Sequence, residues 1–347
     1  MTKMLAARLS VPGEPLLMME IPIPEPPPGE VLVKVKACGL CGADLHLAVK
    51  GDLPVARTPI TLGHEAAGIV AALGDGVTQV AIGDRVALFP AASCGSCRFC
   101  RLGRVSLCDR SKVYGMARDG ALAEYVLAPA HTLMPLPAEI PFDIGAIATD
   151  GVATPFHALR TRGTLRCGET VGIFGCGGLG THAVQIARLM GASQVLAVDI
   201  DAGARERAKR LGADLVFDPG EIDVPKAVRA ATSGLDLAIE LVGLPAIVEQ
   251  AIRSLGKCGR AVLVGVGPGK PTLPSLAGFV GREQTILGSF GMDRNDIEEI
   301  FNLLRTGRLD LSGSISTRYP LKKANDALAH LASKQGGIVR VIVEPEC

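Results

Sequence analysis

The chain has 347 residues, 48% of them hydrophobic, which is long for one core and fits two domains of the usual ~100–200 residues. Its 36 lysines and arginines nearly cancel 35 aspartates and glutamates, so no strong overall field gathers nucleic acid or anionic lipid, and small or neutral partners fit better. Met1 to Ile23 shows no basic stretch followed by a long apolar run and a small-residue cleavage site, and no later run nears ~18 apolar residues; a cytoplasmic protein without a membrane span is expected.

In chain order, Pro22, Pro24, Pro26, Pro27 and Pro28 give an extended lead-in that cannot be helical. Val31 to Ala37 then alternates apolar residues with Lys34 and Lys36, apart from Leu32, as a half-buried strand requires. Short β-type runs at Gly68 to Leu73 and Asp84 to Leu88, punctuated by Gly74, Gly76 and Gly83, suggest a barrel-like domain. From about Glu169 strands alternate with amphipathic stretches: Thr170 to Phe174, a helix over Leu179 to Met190, a strand Val195 to Val198, and a helix over Ala204 to Leu211. Leu235 to Leu241 and Arg260 to Val266 read as further parallel strands of a covered sheet. After Gly288 come helices near Asn295 to Leu304 and Ala324 to Ala332, then a last strand over Ile338 to Val343.

The loop Gly175-Cys176-Gly177-Gly178-Leu179-Gly180 lies between a strand and a helix, where glycines permit a tight turn and let backbone N–H groups approach a pyrophosphate. A G-x-G-x-x-G match alone is weak, but Asp199 falls ~20 residues on, at the end of the next strand, placed to accept hydrogen bonds from the adenosine ribose. A 2′-phosphate is repelled there, so NAD(H) is favoured over NADP(H), although Arg205 is close enough in sequence to reach a phosphate.

Four of the ten cysteines, Cys94, Cys97, Cys100 and Cys108, form C-x2-C-x2-C-x7-C, a spacing that lets four thiolates converge on one zinc. A closed four-cysteine site leaves no position for substrate, so the role expected is structural. An iron–sulfur cluster uses the same ligands, and a nucleic-acid zinc finger normally adds a basic recognition helix, whereas Arg98, Arg101 and Arg104 read as a short loop. Cys41 and the His64-Glu65 pair are separate in sequence but can meet at a second zinc with an open coordination position. Taken singly, such residues are more often packed or at the surface.

Gly63-His64-Glu65-Ala66-Ala67-Gly68, followed by Gly74 and Val77, resembles the zinc-containing alcohol dehydrogenase signature G-H-E-x2-G-x5-G-x2-V of the medium-chain dehydrogenase/reductase superfamily. The resemblance spans the chain: Cys41 loop, His64-Glu65, cysteine lobe, Rossmann motif and C-terminal return. It implies an α/β fold, with a GroES-like β-rich catalytic domain from residues 1–151 and 287–347 and a Rossmann doubly wound parallel sheet over 152–286. It implies two Zn2+ per chain, with Cys41, His64 and Asp150 as catalytic-zinc ligands and Glu65 as a ligand or close neighbour that exchanges with water. It further implies that Asp44 orients the ligand histidine, that His46 is the distal member of a proton relay, and that Thr154 and Arg340 contact the cofactor. Two positions depart from the family. Gly42 stands where some members place a pyrophosphate-binding arginine or histidine, and Ala43 removes the serine or threonine hydroxyl that passes the alcohol proton outward.

The expected activity is therefore hydride transfer between the nicotinamide and a zinc-bound alcohol, aldehyde or ketone, in a cleft between the domains. Two alternatives stay open: reduction of a conjugated enone or iminium, which dispenses with the hydroxyl relay, and a non-catalytic zinc- or nucleic-acid-binding protein, which the near-neutral charge disfavours. The family also implies a homodimer or homotetramer formed through the Rossmann domain.

Overall fold

The computed structural model describes residues 2–333 and 337–345. They form two compact units, Met1–Ala153 with Met292–Cys347, and Thr154–Gly291.

In the first unit, Glu30–Leu40 is the organising strand. One edge pairs antiparallel with Glu65–Leu73. The other is shared, Tyr125–Pro129 pairing with Glu30 to Lys34 and Arg340–Glu344 with Cys38 to Leu40. Val31, Val33 and Val35 are fully buried while Lys34 and Lys36 are not, so the alternation seen in the sequence is the inside–outside period of this strand; Leu32, which breaks it, is buried as well. The full order is Leu133–Pro135, Arg85–Leu88, Glu65–Leu73, Glu30–Leu40, Arg340–Glu344, Ile315–Pro320. The two outer strands of that path are not paired with each other among the described residues, so the barrel-like sheet is left open between them. A three-stranded sheet, Leu17–Pro22, Lys3–Leu9 and Ile60–Thr61, contributes to the same core, which joins Leu9, Val33, Leu47, Ile60, Leu122 and Val343.

The second unit holds a six-stranded sheet, parallel throughout, in the order Leu215–Phe217, Gln194–Val198, Thr170–Phe174, Leu235–Glu240, Leu255–Leu263, Thr285–Gly288. Val171, Ile173, Phe174, Val195, Leu196, Leu237 and Ile239 are fully buried, as a sheet covered on both faces requires. The first strand lies in the middle and the order reverses between Thr170–Phe174 and Leu235–Glu240, which opens a switch point at the carboxyl ends of the strands.

Two expectations are corrected here. The boundary at 287 falls inside the strand Thr285–Gly288, because this short segment completes the sheet before the chain leaves the unit. The strand expected over Arg260 to Val266 runs over Leu255–Leu263 instead, and Val266 is 77% exposed. An apolar run marks burial only where a neighbour covers it.

Candidate metal centres and cofactor turn

Cys41 caps the one-turn helix Gly42–Leu45, and its N–H donates to Asp44 Oδ2 at 2.9 Å. His64 stands just before the strand Glu65–Leu73, after Gly63 at φ +93°; a side chain there would meet Cys38 Sγ at 2.6 Å, so glycine alone gives this close turn. Opposite Glu65 in the register is Gly39, where a Cβ would collide with the Glu65 carboxylate. Asp150 lies in the π-helical turn Ala148–Val152.

These segments bring one donor atom each from Cys41, His64, Glu65 and Asp150 within 4.8 Å of one another. Cys41 Sγ is 3.5 Å and His64 Nε2 3.6 Å from Asp150 Oδ2, close to the ~3.3–3.5 Å edges of a tetrahedron built on zinc–ligand bonds of 2.0–2.3 Å. Both Glu65 carboxylate oxygens, Asp44 Oδ1 and His64 Nδ1 are buried with no hydrogen-bond partner among the described residues. Burial pushes the Glu65 carboxyl up to about 8, against the pull of the Arg340 guanidinium, and raises Asp44 too. Burial lowers His64, but the Asp44 charge and the neighbouring Asp150 and Cys41 side chains outweigh it and leave the imidazole well above its ordinary value. Three carboxylates and a thiol packed around one imidazole call for added positive charge, which a dication supplies. The residues fit a zinc ion.

Two residues to which the resemblance gives a role make these contacts within this unit. Asp44 Oδ1 is 3.9 Å from His64 Nδ1, an ion-pair separation rather than a closed hydrogen bond. Arg340 is 4% exposed, with Nη2 3.4 Å from Glu65 Oε1, and a Cβ on Gly151 would meet its guanidinium at 2.5 Å; its contact here is the Glu65 carboxylate beside the cluster. His46 opens the turn His46–Lys50, partly exposed, and its Nδ1 lies 2.8 Å from Asp52 Oδ1. Sequence reading missed Asp52, whose pairing depends on how this turn folds back.

The cysteine lobe is built locally. Cys94, Cys97, Cys100 and Cys108 place their sulfurs within 4.8 Å, with 3.9 Å between Cys94 and Cys100 and 3.6 Å between Cys97 and Cys100. Zinc–sulfur bonds of ~2.3 Å give a tetrahedral edge of about 3.8 Å. Backbone N–H groups of Cys97, Cys100 and Cys94 point at the sulfurs of Cys94, Cys97 and Cys108 respectively, and so stabilise thiolates. Arg98–Arg101 is a single helical turn rather than the loop expected, capped by Cys97 Sγ, and Arg104 pairs with Asp293 at 2.8 Å.

In the second unit the glycine-rich turn precedes the helix Gly178–Leu189, with Gly177 at its N-cap. Gly175 has φ +91°, and a Cβ on Gly180 would overlap the Gly175 carbonyl oxygen; beside Gly177 there is open space for a ligand. Leu179 lies in the first helical turn. The backbone of Cys176 is held at both ends: its N–H donates to Asp199 Oδ2 at 2.6 Å, and its carbonyl accepts from Arg207 Nη2 at 3.0 Å. Arg207 lies among Arg205, Lys209 and Arg210 and reads as solvated in the sequence; only the fold turns it inward. Arg205 Nη1 pairs with Asp218 Oδ2 at 2.7 Å. Thr154, near the start of this unit, is buried.

Residues 27–138 match the alcohol dehydrogenase GroES-like domain, and residues 178–306 match the zinc-binding dehydrogenase domain. An alcohol dehydrogenase of Geobacillus stearothermophilus is 35% identical over 324 residues, 93% of this chain and 94% of the relative. The chain belongs to the zinc-containing alcohol dehydrogenase family. This dehydrogenase is also 34% identical to an L-threonine 3-dehydrogenase of Pyrococcus horikoshii, over 91% of this chain and 92% of that one. Among solved structures, a zinc-binding dehydrogenase candidate from Sinorhizobium meliloti 1021 bound to NADP superposes with a TM-score of 0.90 at 36% identity, covering 99% and 100% of the two chains. The chain is thus an oxidoreductase of the zinc-dependent dehydrogenase family, with a GroES-like domain and a Rossmann sheet. No helix among the described residues is long and apolar enough to cross a membrane.

Proposed function

We propose that this dehydrogenase interconverts a small alcohol and its aldehyde or ketone, using NAD(H), a catalytic zinc and a structural zinc. The observation that chiefly supports the reading is the convergence of Cys41, His64, Glu65 and Asp150 within 4.8 Å, with buried nitrogen and oxygen atoms there that have no hydrogen-bond partner among the described residues. Bound there, zinc supplies Lewis acidity toward an alcohol or carbonyl oxygen, and the nicotinamide accepts or donates the hydride. Cys41, His64 and Asp150 hold the ion, and Glu65 stands next to it as a carboxylate that can exchange with water. Asp44 sets the charge behind the His64 ring. Cys94, Cys97, Cys100 and Cys108 hold the second zinc.

The cofactor lies on Gly175, Gly177, Gly178, Leu179 and Gly180, whose turn opens onto a helix N-terminus. Asp199, at the end of the second strand, supports NAD(H): a carboxylate there accepts from ribose hydroxyls and repels a 2′-phosphate. Thr154 and Arg340 border the cofactor. Self-association runs through the second unit, where the edge strand Thr285–Gly288 is followed by Phe290 at 62% exposed.

Steady-state NADH formation across primary, secondary and cyclic alcohols, with and without a chelator, tests the core of this reading. Chelator-sensitive turnover is expected. A folded, zinc-loaded, cofactor-binding protein inert toward every alcohol and carbonyl would overturn it. Ala43 favours a second reading, reduction of a conjugated enone or iminium, since no hydroxyl stands at this position to pass a proton toward His46. The two readings part on Ala43→Thr. Restoring the hydroxyl should raise alcohol turnover by about tenfold or more, within the usual range for a positioned proton-transfer group. Unchanged alcohol turnover together with fast enone reduction would favour the second reading.

A further inference from the structure

Asp199 is not the only acid at the end of the cofactor turn. The strands Gln194–Val198 and Leu215–Phe217 are neighbours with Val198 opposite Phe217, so the residues that follow each of them, Asp199 and Asp218, emerge side by side. The Asp199 N–H donates to the Phe217 carbonyl at 3.2 Å, which locks the two ends together. Arg205, on the helix Ala202–Arg210, reaches back to the same place. Its Nη1 donates to the Asp199 carbonyl oxygen at 2.8 Å and lies 2.7 Å from Asp218 Oδ2. The two paired side chains are only 17% and 16% exposed, so water screens them weakly. Asp218 Oδ1 accepts the Gly220 N–H at 2.8 Å, which fixes the direction of the carboxylate.

Two neighbouring charges are committed elsewhere. Asp201 caps its helix by accepting the Ala204 N–H, and Arg207 donates to the Cys176 carbonyl and the Thr181 hydroxyl. Arg205 is the cation that follows Asp199 most closely in sequence, and its guanidinium touches the Asp199 backbone. Asp218 neutralises it.

We propose that Asp218 is a specificity-determining residue for the cofactor. By holding the Arg205 guanidinium it denies a 2′-phosphate the cation it needs, so NADP is disfavoured twice, by the Asp199 charge and by the capture of Arg205. The inference rests on the reading that Asp199 meets the adenosine ribose.

Asp218→Asn is the informative change, because asparagine keeps an oxygen for the Gly220 N–H while losing the charge that binds Arg205. The chain contains no tryptophan, so binding of NADH and NADPH is followed by the fluorescence of the reduced nicotinamide and checked by calorimetry. In Asp218→Asn the ratio of NADPH to NADH dissociation constants should fall about tenfold, the scale of freeing one partly buried charge, with NADH affinity nearly unchanged. That gain should vanish in Asp218→Asn/Arg205→Ala. Arg205→Ala alone should leave the NADPH affinity close to that of the parent. A ratio that does not move in Asp218→Asn, a gain that persists without Arg205, or a large loss of NADPH affinity in Arg205→Ala each overturns the proposal. The parent protein separates the two questions: tighter NADPH than NADH binding there contradicts the Asp199 reading, whereas the shift caused by Asp218→Asn judges Asp218 alone.

Discussion

His64→Ala is expected to remove the proposed catalytic zinc and to lower kcat/KM by roughly 1,000-fold or more, since a Lewis acid at the reacting oxygen contributes several kcal/mol and each ~1.36 kcal/mol is a factor of ten. His64 is almost fully buried, its Nε2 lies 3.6 Å from Asp150 Oδ2, and the strand that begins at Glu65 follows it directly. Alanine also leaves Asp44, which is fully buried, without the imidazole at 3.9 Å that offsets its charge. Metal analysis should show the cysteine-lobe ion retained, and NADH binding should survive, because the glycine turn belongs to the other unit. Turnover within tenfold of the parent, or loss of both metals together, would contradict the assignment of this cluster as the catalytic centre.

Cys100→Ser should leave the chemistry nearly intact and undo the lobe. Between Cys94 and Cys108 only Val105 and Cys108 are buried, while Leu102 is 63% exposed, so the segment has almost no core of its own. Its order depends on the four sulfurs and on the tether from Arg104 and Ser106 to Asp293. Structural zinc stabilises isolated peptides by an apparent ~10–16 kcal/mol; here the large adjoining core survives, and the loss is local. Trypsin is the direct probe, since Arg98, Arg101 and Arg104 lie within the lobe. Cleavage there should accelerate at least about tenfold in Cys100→Ser, and to a similar extent in the parent after chelation. Equal cleavage rates in all three samples would mean that the ion does not hold the lobe.

Much of the chemistry was legible in the chain because its carriers are local. The C-x2-C-x2-C-x7-C window closes on itself, and the glycine turn, the following helix and Asp199 belong to one strand–helix–strand unit, so spacing alone specifies their geometry. The alternation at Val31 to Ala37 likewise reports the two faces of one strand. Tertiary structure decided what depends on distant segments. Cys41, the His64-Glu65 pair and Asp150 come from three stretches that meet only because Glu30–Leu40 pairs with Glu65–Leu73 and the turn at Asp150 packs into the same unit. The inward turn of Arg207, the capture of Arg205 by Asp218 and the contact of Arg340 with Glu65 carry no signal in composition or period. A charged residue looks the same in sequence whether it faces water or a buried partner, and the desolvation that separates the two cases exists only once the chain has folded.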